Sequence, residues 1–96
     1  MKRSLRTTTA PGSFAHVVNQ TLRRVLEAAP ESVEAPAMRS AVRLTQRALR
    51  NDMRRDDPEL FRALPDRIEA TEQAVEALRQ RQFRQCHRAL RQVWSI

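Results

Sequence analysis

The sequence predicts an all-α protein: a small bundle of three to four helices in antiparallel hairpins, with the last helix long or hinged near Arg81. Three observations predict it. The 96 residues include one glycine and no tyrosine, and the abundant Ala, Leu, Arg, Gln and Glu favour helix over strand at nearly every position. Apolar residues recur at steps of three and four, the spacing that gathers them on one helix face. Pro30, Pro36, Pro58 and Pro65 fall between those periodic stretches, where proline ends or starts a helix.

Residues 1–12 are basic and Thr-rich, close on Ala10-Pro11-Gly12 and show no periodicity. They are expected to form a flexible arm ahead of a single helical domain at 13–96. Ser13 can cap a first helix at about 13–29, because its hydroxyl accepts from a backbone N–H at the helix start. Phe14, Val17, Val18, Leu22, Val25 and Leu26 make its inner face, and Pro30 ends it. Pro36 suits the first turn of a second helix at about 36–55. The short connection between the two predicts an antiparallel pair. Asp57-Pro58-Glu59 reads as a restart, giving a short helix at 58–64 with Leu60, Phe61 and Leu64. Pro65 then breaks it, and Asp66 is expected to cap the last segment, 66–94.

As one unbroken helix that segment would run about 28 residues and ~42 Å, more than a compact chain of this size needs. A second reading puts a tight turn near Arg79 to Gln82 and makes two shorter helices, and the sequence alone does not decide between the two. Ala77-Leu78 followed by Phe83-Arg84-Gln85-Cys86-His87-Arg88-Ala89-Leu90 resembles the inter-helix step of tetratricopeptide-type hairpins, which implies a close helix pair. That family usually carries glycine at the turn, where Arg81 or Gln82 stands here; no second copy occurs, so a repeat array is not expected. The predicted core is Phe14, Val18, Leu22, Val25, Met38, Val42, Leu49, Ile68, Val75, Leu78, Phe83, Cys86 and Leu90.

Two arginine ladders stand out. Arg39, Arg43, Arg47, Arg50 and Arg54 fall within an arc of roughly 80° of the second helix, beside an apolar face of Met38, Ala41, Val42, Thr45, Leu49 and Met53. Arg81, Arg84, Arg88 and Arg91 step by three and four opposite the apolar face of the last segment. If the second and last helices pack antiparallel, Glu69, Glu72 and Glu76 face the first ladder and leave the second exposed. The net charge of +7 is correspondingly uneven: residues 56–76 carry −5 and residues 77–96 carry +5 with no acid. Such a pattern neutralises part of itself and points what remains at an acidic partner, protein or nucleic acid.

Length and composition exclude several classes. A chain this short buries about 60–65% of its unfolded surface, so a homodimer is one expected way of adding to it. No apolar run approaches the ~18 residues of a membrane span. The basic start leads into Thr7-Thr8-Thr9 in place of an apolar core, and Cys86 is the only cysteine; both favour a cytoplasmic location with a reduced thiol.

Catalytic and metal chemistry are not expected. Cys86 and His87 are adjacent, so on a helix they point about 100° apart and do not converge on one ion. Cys86 falls in the middle of the apolar face, where cysteine packs as a small hydrophobe. There is no Gly-rich phosphate loop, and no enzyme activity, cofactor or small-molecule substrate is expected. Phe14-Ala15-His16-Val17-Val18-Asn19-Gln20-Thr21-Leu22 resembles the histidine box of two-component phosphoacceptor hairpins, but Val17 stands where that family has a charged neighbour.

The expected function is that of a small non-enzymatic regulatory or adaptor protein, of the inhibitor, antiactivator or chaperone type. It would bind the acidic surface of a protein partner through the two ladders, with Trp94 as an apolar anchor. The alternative is a nucleic-acid-binding accessory protein using the same arginines against phosphates.

Overall fold

A computed structural model describes residues 14–50 and 62–95, with side chains from residue 20 onward in the first stretch. The expected arm, the Ser13 cap, the side chains of Phe14, His16 and Val18, Met53, Arg54 and most of the expected helix at 58–64 lie outside the described residues. The described chain is all helix: α1 (Phe14–Glu27), a single 3-10 turn (Pro30–Ser32), α2 (Ala35–Arg50), α3 (Leu64–Arg79) and α4 (Phe83–Ser95). None of these helices is long and apolar enough to cross a membrane.

The order of packing makes α2 and α4 the inner pair, since each contacts the three other helices. The start of α2 (Ala35, Arg39) lies beside the end of α3 (Leu78, Arg79). The end of α2 (Leu49, Arg50) lies beside the start of α3 (Ile68, Thr71), so those two helices run antiparallel. The tight link between α3 and α4 makes them a second antiparallel pair.

Helix α2 forms as its pattern predicts: Met38, Ala41, Val42, Thr45, Ala48 and Leu49 are buried, and Arg39, Arg43, Arg47 and Arg50 are exposed. Between α1 and α2, Pro30 opens the 3-10 turn, whose Ser32 N–H and hydroxyl both bond the Ala29 carbonyl (2.9 and 2.8 Å). The turn sets Val33 against the core.

The last segment is two helices, and the break has a recognisable geometry. Arg81 N–H bonds the Leu78 carbonyl (3.0 Å) and Gln82 N–H bonds the Ala77 carbonyl (2.8 Å). These are the two bonds of a Schellman motif, with Arg81 in the left-handed position at φ 59°. Glycine is the usual occupant there because an L-residue pays roughly 1–2 kcal/mol for that conformation.

Splitting the segment also corrects the predicted core of α3. Its buried residues are Arg67, Ala70, Thr71, Ala74 and Ala77. Ile68, expected inside, is 41% exposed, and Val75, Leu78 and Phe83 are only partly buried. On a 100° step Ile68 and Val75 lie roughly 100° round the helix from the centre of that face. A single stripe drawn through residues 66–94 cannot hold its phase across a turn. The inner face of α3 is therefore alanine, and with Cys86 and Ala89 buried on α4 it lets the two helices pack closely.

The start of α3 differs from the expectation as well. Pro65 lies inside the first turn of α3, where its missing N–H costs nothing. The residue at the head of the helix is Ala63, left-handed at φ 53°, whose carbonyl accepts the Arg67 N–H (3.0 Å). Asp66 is thus a first-turn residue and not the cap.

Candidate functional site

Three polar side chains inside the bundle hold its helices in register, and of these neither Arg67 nor His87 is expected there from the sequence. Arg67 is 1% exposed. Its Nε donates to the Arg62 carbonyl (2.8 Å) and its NH1 to the Val93 carbonyl (2.7 Å). Val93 belongs to the last turn of α4, whose carbonyls have no intrahelical donor and carry the negative end of the helix dipole. One guanidinium therefore ties the entry of α3 to the end of α4. His87, 2% exposed, donates from Nε2 to the carbonyl of Val25 (2.8 Å) in the last turn of α1. Trp94 donates from its indole nitrogen to the Thr45 hydroxyl on α2 (3.0 Å).

That last bond corrects the role given to Trp94. At 7% exposure, with its N–H used inside the protein, it is a core residue and offers no surface to a partner. Met38, also buried, is likewise withdrawn from any interface. Ile68 is the one large hydrophobic exposed among the described residues. Among the described residues the large hydrophobic side chains other than Ile68 are buried or half-buried in the bundle.

The second ladder is divided by the turn. Arg84, Arg88 and Arg91 remain in line on the outer face of α4, whose other exposed residues are Gln85, Gln92 and Ser95. With Pro30 and Glu31 of the 3-10 turn they line an open groove of about 590 Å³ floored by His87. On its other side α4 borders a smaller groove lined by Arg88 and Gln92 together with Gln73 and Glu76 of α3. The three arginines thus form a stripe edged by Glu31 on one flank and Glu76 on the other. Arg81 leaves this line and joins Arg39 and Arg79 at the turn between α3 and α4.

The first ladder is spread along α2. Arg39 lies at the α3–α4 turn, and Arg50 shares a groove with Gln46, Leu49, Ile68 and Glu72 at the other end. Neither Arg47 nor Arg50 is without a partner. Of the three acids expected to face this ladder, Glu72 shares the Arg50 groove. Glu76 instead bonds Arg79 (3.1 Å) and Gln80 (2.8 Å) of its own helix end.

Cys86 is buried on the inner face of α4, and desolvation by that burial pushes its thiol from the usual 9.0 up to about 11. A thiol so held is protonated and unreactive at neutral pH. Among the described residues no three His, Cys, Asp or Glu side chains are grouped to hold a metal ion. Comparison with known families, with curated proteins and with solved structures finds no match for the chain.

Proposed function

We propose that the protein is a non-enzymatic regulatory or adaptor protein that docks the outer face of α4 onto an acidic ridge of a protein partner. The observation that carries this reading is the narrowness of the basic stripe: Arg84, Arg88 and Arg91 run in line between Glu31 and Glu76. A partner presenting one row of carboxylates, as along a helix, meets arginines only. A broad polyanion such as duplex DNA would also meet the flanking acids, and like charges placed opposite each other cost affinity and exclude wrong partners. Arginine suits the task because its planar fork pairs a carboxylate in two parallel bonds. With Trp94 and Met38 buried, specificity on this face rests on charge pattern and shape.

The test has two parts. Full-length protein and the variant Arg84→Glu/Arg88→Glu/Arg91→Glu are used to capture partners from a nuclease-treated extract, and the captured protein is purified for direct titration. An acidic protein that binds the parent and loses at least tenfold in affinity with the variant supports the reading. In parallel, a labelled random duplex and a labelled single strand are titrated by fluorescence anisotropy across salt. Sequence-tolerant binding at about 1 μM or tighter near physiological salt, with a log–log slope that shrinks in the variant, overturns it in favour of nucleic acid.

A further inference from the structure

Arg81 stands exposed at the turn between α3 and α4. With Arg39 from α2 and Arg79 from the end of α3, it lines a pocket of about 260 Å³, walled on the apolar side by Leu78 and Phe83. The described lining holds no carboxylate. Arg79 gives one edge of its guanidinium to Glu76, while Arg39 and Arg81 make no ion pair with a described residue. Ala35, the first residue of α2, completes the lining, so the start of that 16-residue helix borders the same space.

We propose that this pocket is a binding site for a phosphoryl group, taken from a free phosphate or diphosphate or from the end of a small phosphorylated molecule. Three guanidiniums from separate elements around one concavity supply forked, charge-assisted donors to a tetrahedral oxyanion, the geometry for which arginine is favoured over lysine. The volume sets the size of the guest. Sites for whole drug-sized ligands run from about 300 to 1,000 Å³, so a pocket of about 260 Å³ takes the anionic group and leaves the rest of a larger molecule outside. The pocket shares no lining residue with the groove on α4, so it stands whether or not the docking proposal does.

Isothermal titration of the full-length protein with pyrophosphate, at ionic strength matched with sodium chloride, tests the site. The parent is expected to show one saturable site with a dissociation constant of about 1 mM or tighter. Arg81→Gly separates ligand binding from folding: it should raise the thermal midpoint by a few degrees by relieving the backbone, yet weaken pyrophosphate at least tenfold. Arg39→Gln should weaken it similarly, and Arg88→Gln on α4 should leave it unchanged. Absence of saturable binding in the parent overturns the proposal. So does binding that survives Arg81→Gly, or equal weakening by Arg88→Gln, which would indicate net charge alone. Repeating the titration with ADP distinguishes the sources: tighter binding than pyrophosphate assigns the site to a phosphorylated molecule resting on Phe83, and weaker binding to the free anion, both upholding phosphoryl recognition.

Discussion

At the start of α3 the guanidinium of Arg67 is almost wholly removed from water and donates to carbonyls of two separate segments. On the outer face of α4 Arg84, Arg88 and Arg91 stand in solvent, and none makes an ion pair with a described residue. The same side chain is thus an internal tie in one region and a free surface charge in the other. Burial of a charge is costly unless its hydrogen bonds are made, and the unbonded end of α4 beside Arg67 supplies one of them. The outer arginines bear no such condition and can be kept for something outside the molecule. An arginine's role here is set by whether a helix end is within reach, and not by its place in a ladder.

The largest effect should come from removing the internal tie. Arg67→Ala leaves two carbonyls without their donors and empties the space of a long side chain, a loss of about 3 kcal/mol or more. Against a total of roughly 5–14 kcal/mol for a chain of this length, that is a large fraction. Urea unfolding followed through Trp94, the single tryptophan, measures it. Arg67→Lys should recover only part, since an ammonium lacks the fork that reaches both carbonyls. A loss below about 1 kcal/mol for Arg67→Ala would erase the contrast between the two regions.

A smaller effect tests how dry the inner side of α4 is at Cys86. The folded Cys86 thiol is raised to about 11 by desolvation. Below the unfolded value near 9 both states hold the proton and the contribution is complete. As pH rises the unfolded thiol ionises first, so stability falls between about pH 9 and 11, by on the order of 2–3 kcal/mol at 1.36 kcal/mol per pH unit. The chain has no tyrosine and one lysine, so few other side chains titrate in that window. Urea midpoints across the range should slope downward in the parent and flatten in Cys86→Ala. A flat parent profile would mean that water reaches the thiol.

The sequence makes the second helix legible almost to the residue, because its large apolar side chains and its arginines separate cleanly on a 3.6-residue wheel. Met38, Val42 and Leu49 are inside and Arg39, Arg43, Arg47 and Arg50 outside. Helix α3 is less legible because its core face is built from Ala70, Ala74 and Ala77, residues neutral to any hydropathy pattern, with Ile68 and Val75 off to the side. The turn at Arg81 lacked its usual glycine signal. The internal role of Arg67 depends on the end of a helix 26 positions further along the chain, which no local pattern encodes. Spacing from Cys86, Leu90 and Val93 puts Trp94 on the apolar side of its helix, but only the partner hydroxyl of Thr45 shows that its N–H is satisfied inside. The stripe on α4 could be read as a stripe, whereas its acidic edges come from the 3-10 turn and α3 and appear only in three dimensions.

The smallest effect on stability carries the sharpest test of the contrast. Arg84 and Arg88 are four apart and Arg88 and Arg91 three apart on one exposed face, and like charges at those spacings destabilise a helix by about 0.2–0.5 kcal/mol per pair. Replacing all three by glutamine should therefore stabilise the isolated protein slightly, opposite in sign to Arg67→Ala. Added salt should reproduce that gain in the parent, because screening at about 1 M shrinks the reach of exposed charges to ~3 Å, and should do little in the triple variant. Urea midpoints at low and high salt for both proteins decide it. A triple variant that loses about 1 kcal/mol or more would show these arginines to be structural after all, since exposed ion pairs rarely contribute that much. A small gain in stability coupled to a loss of partner binding marks them instead as charges retained for recognition at some expense to the fold.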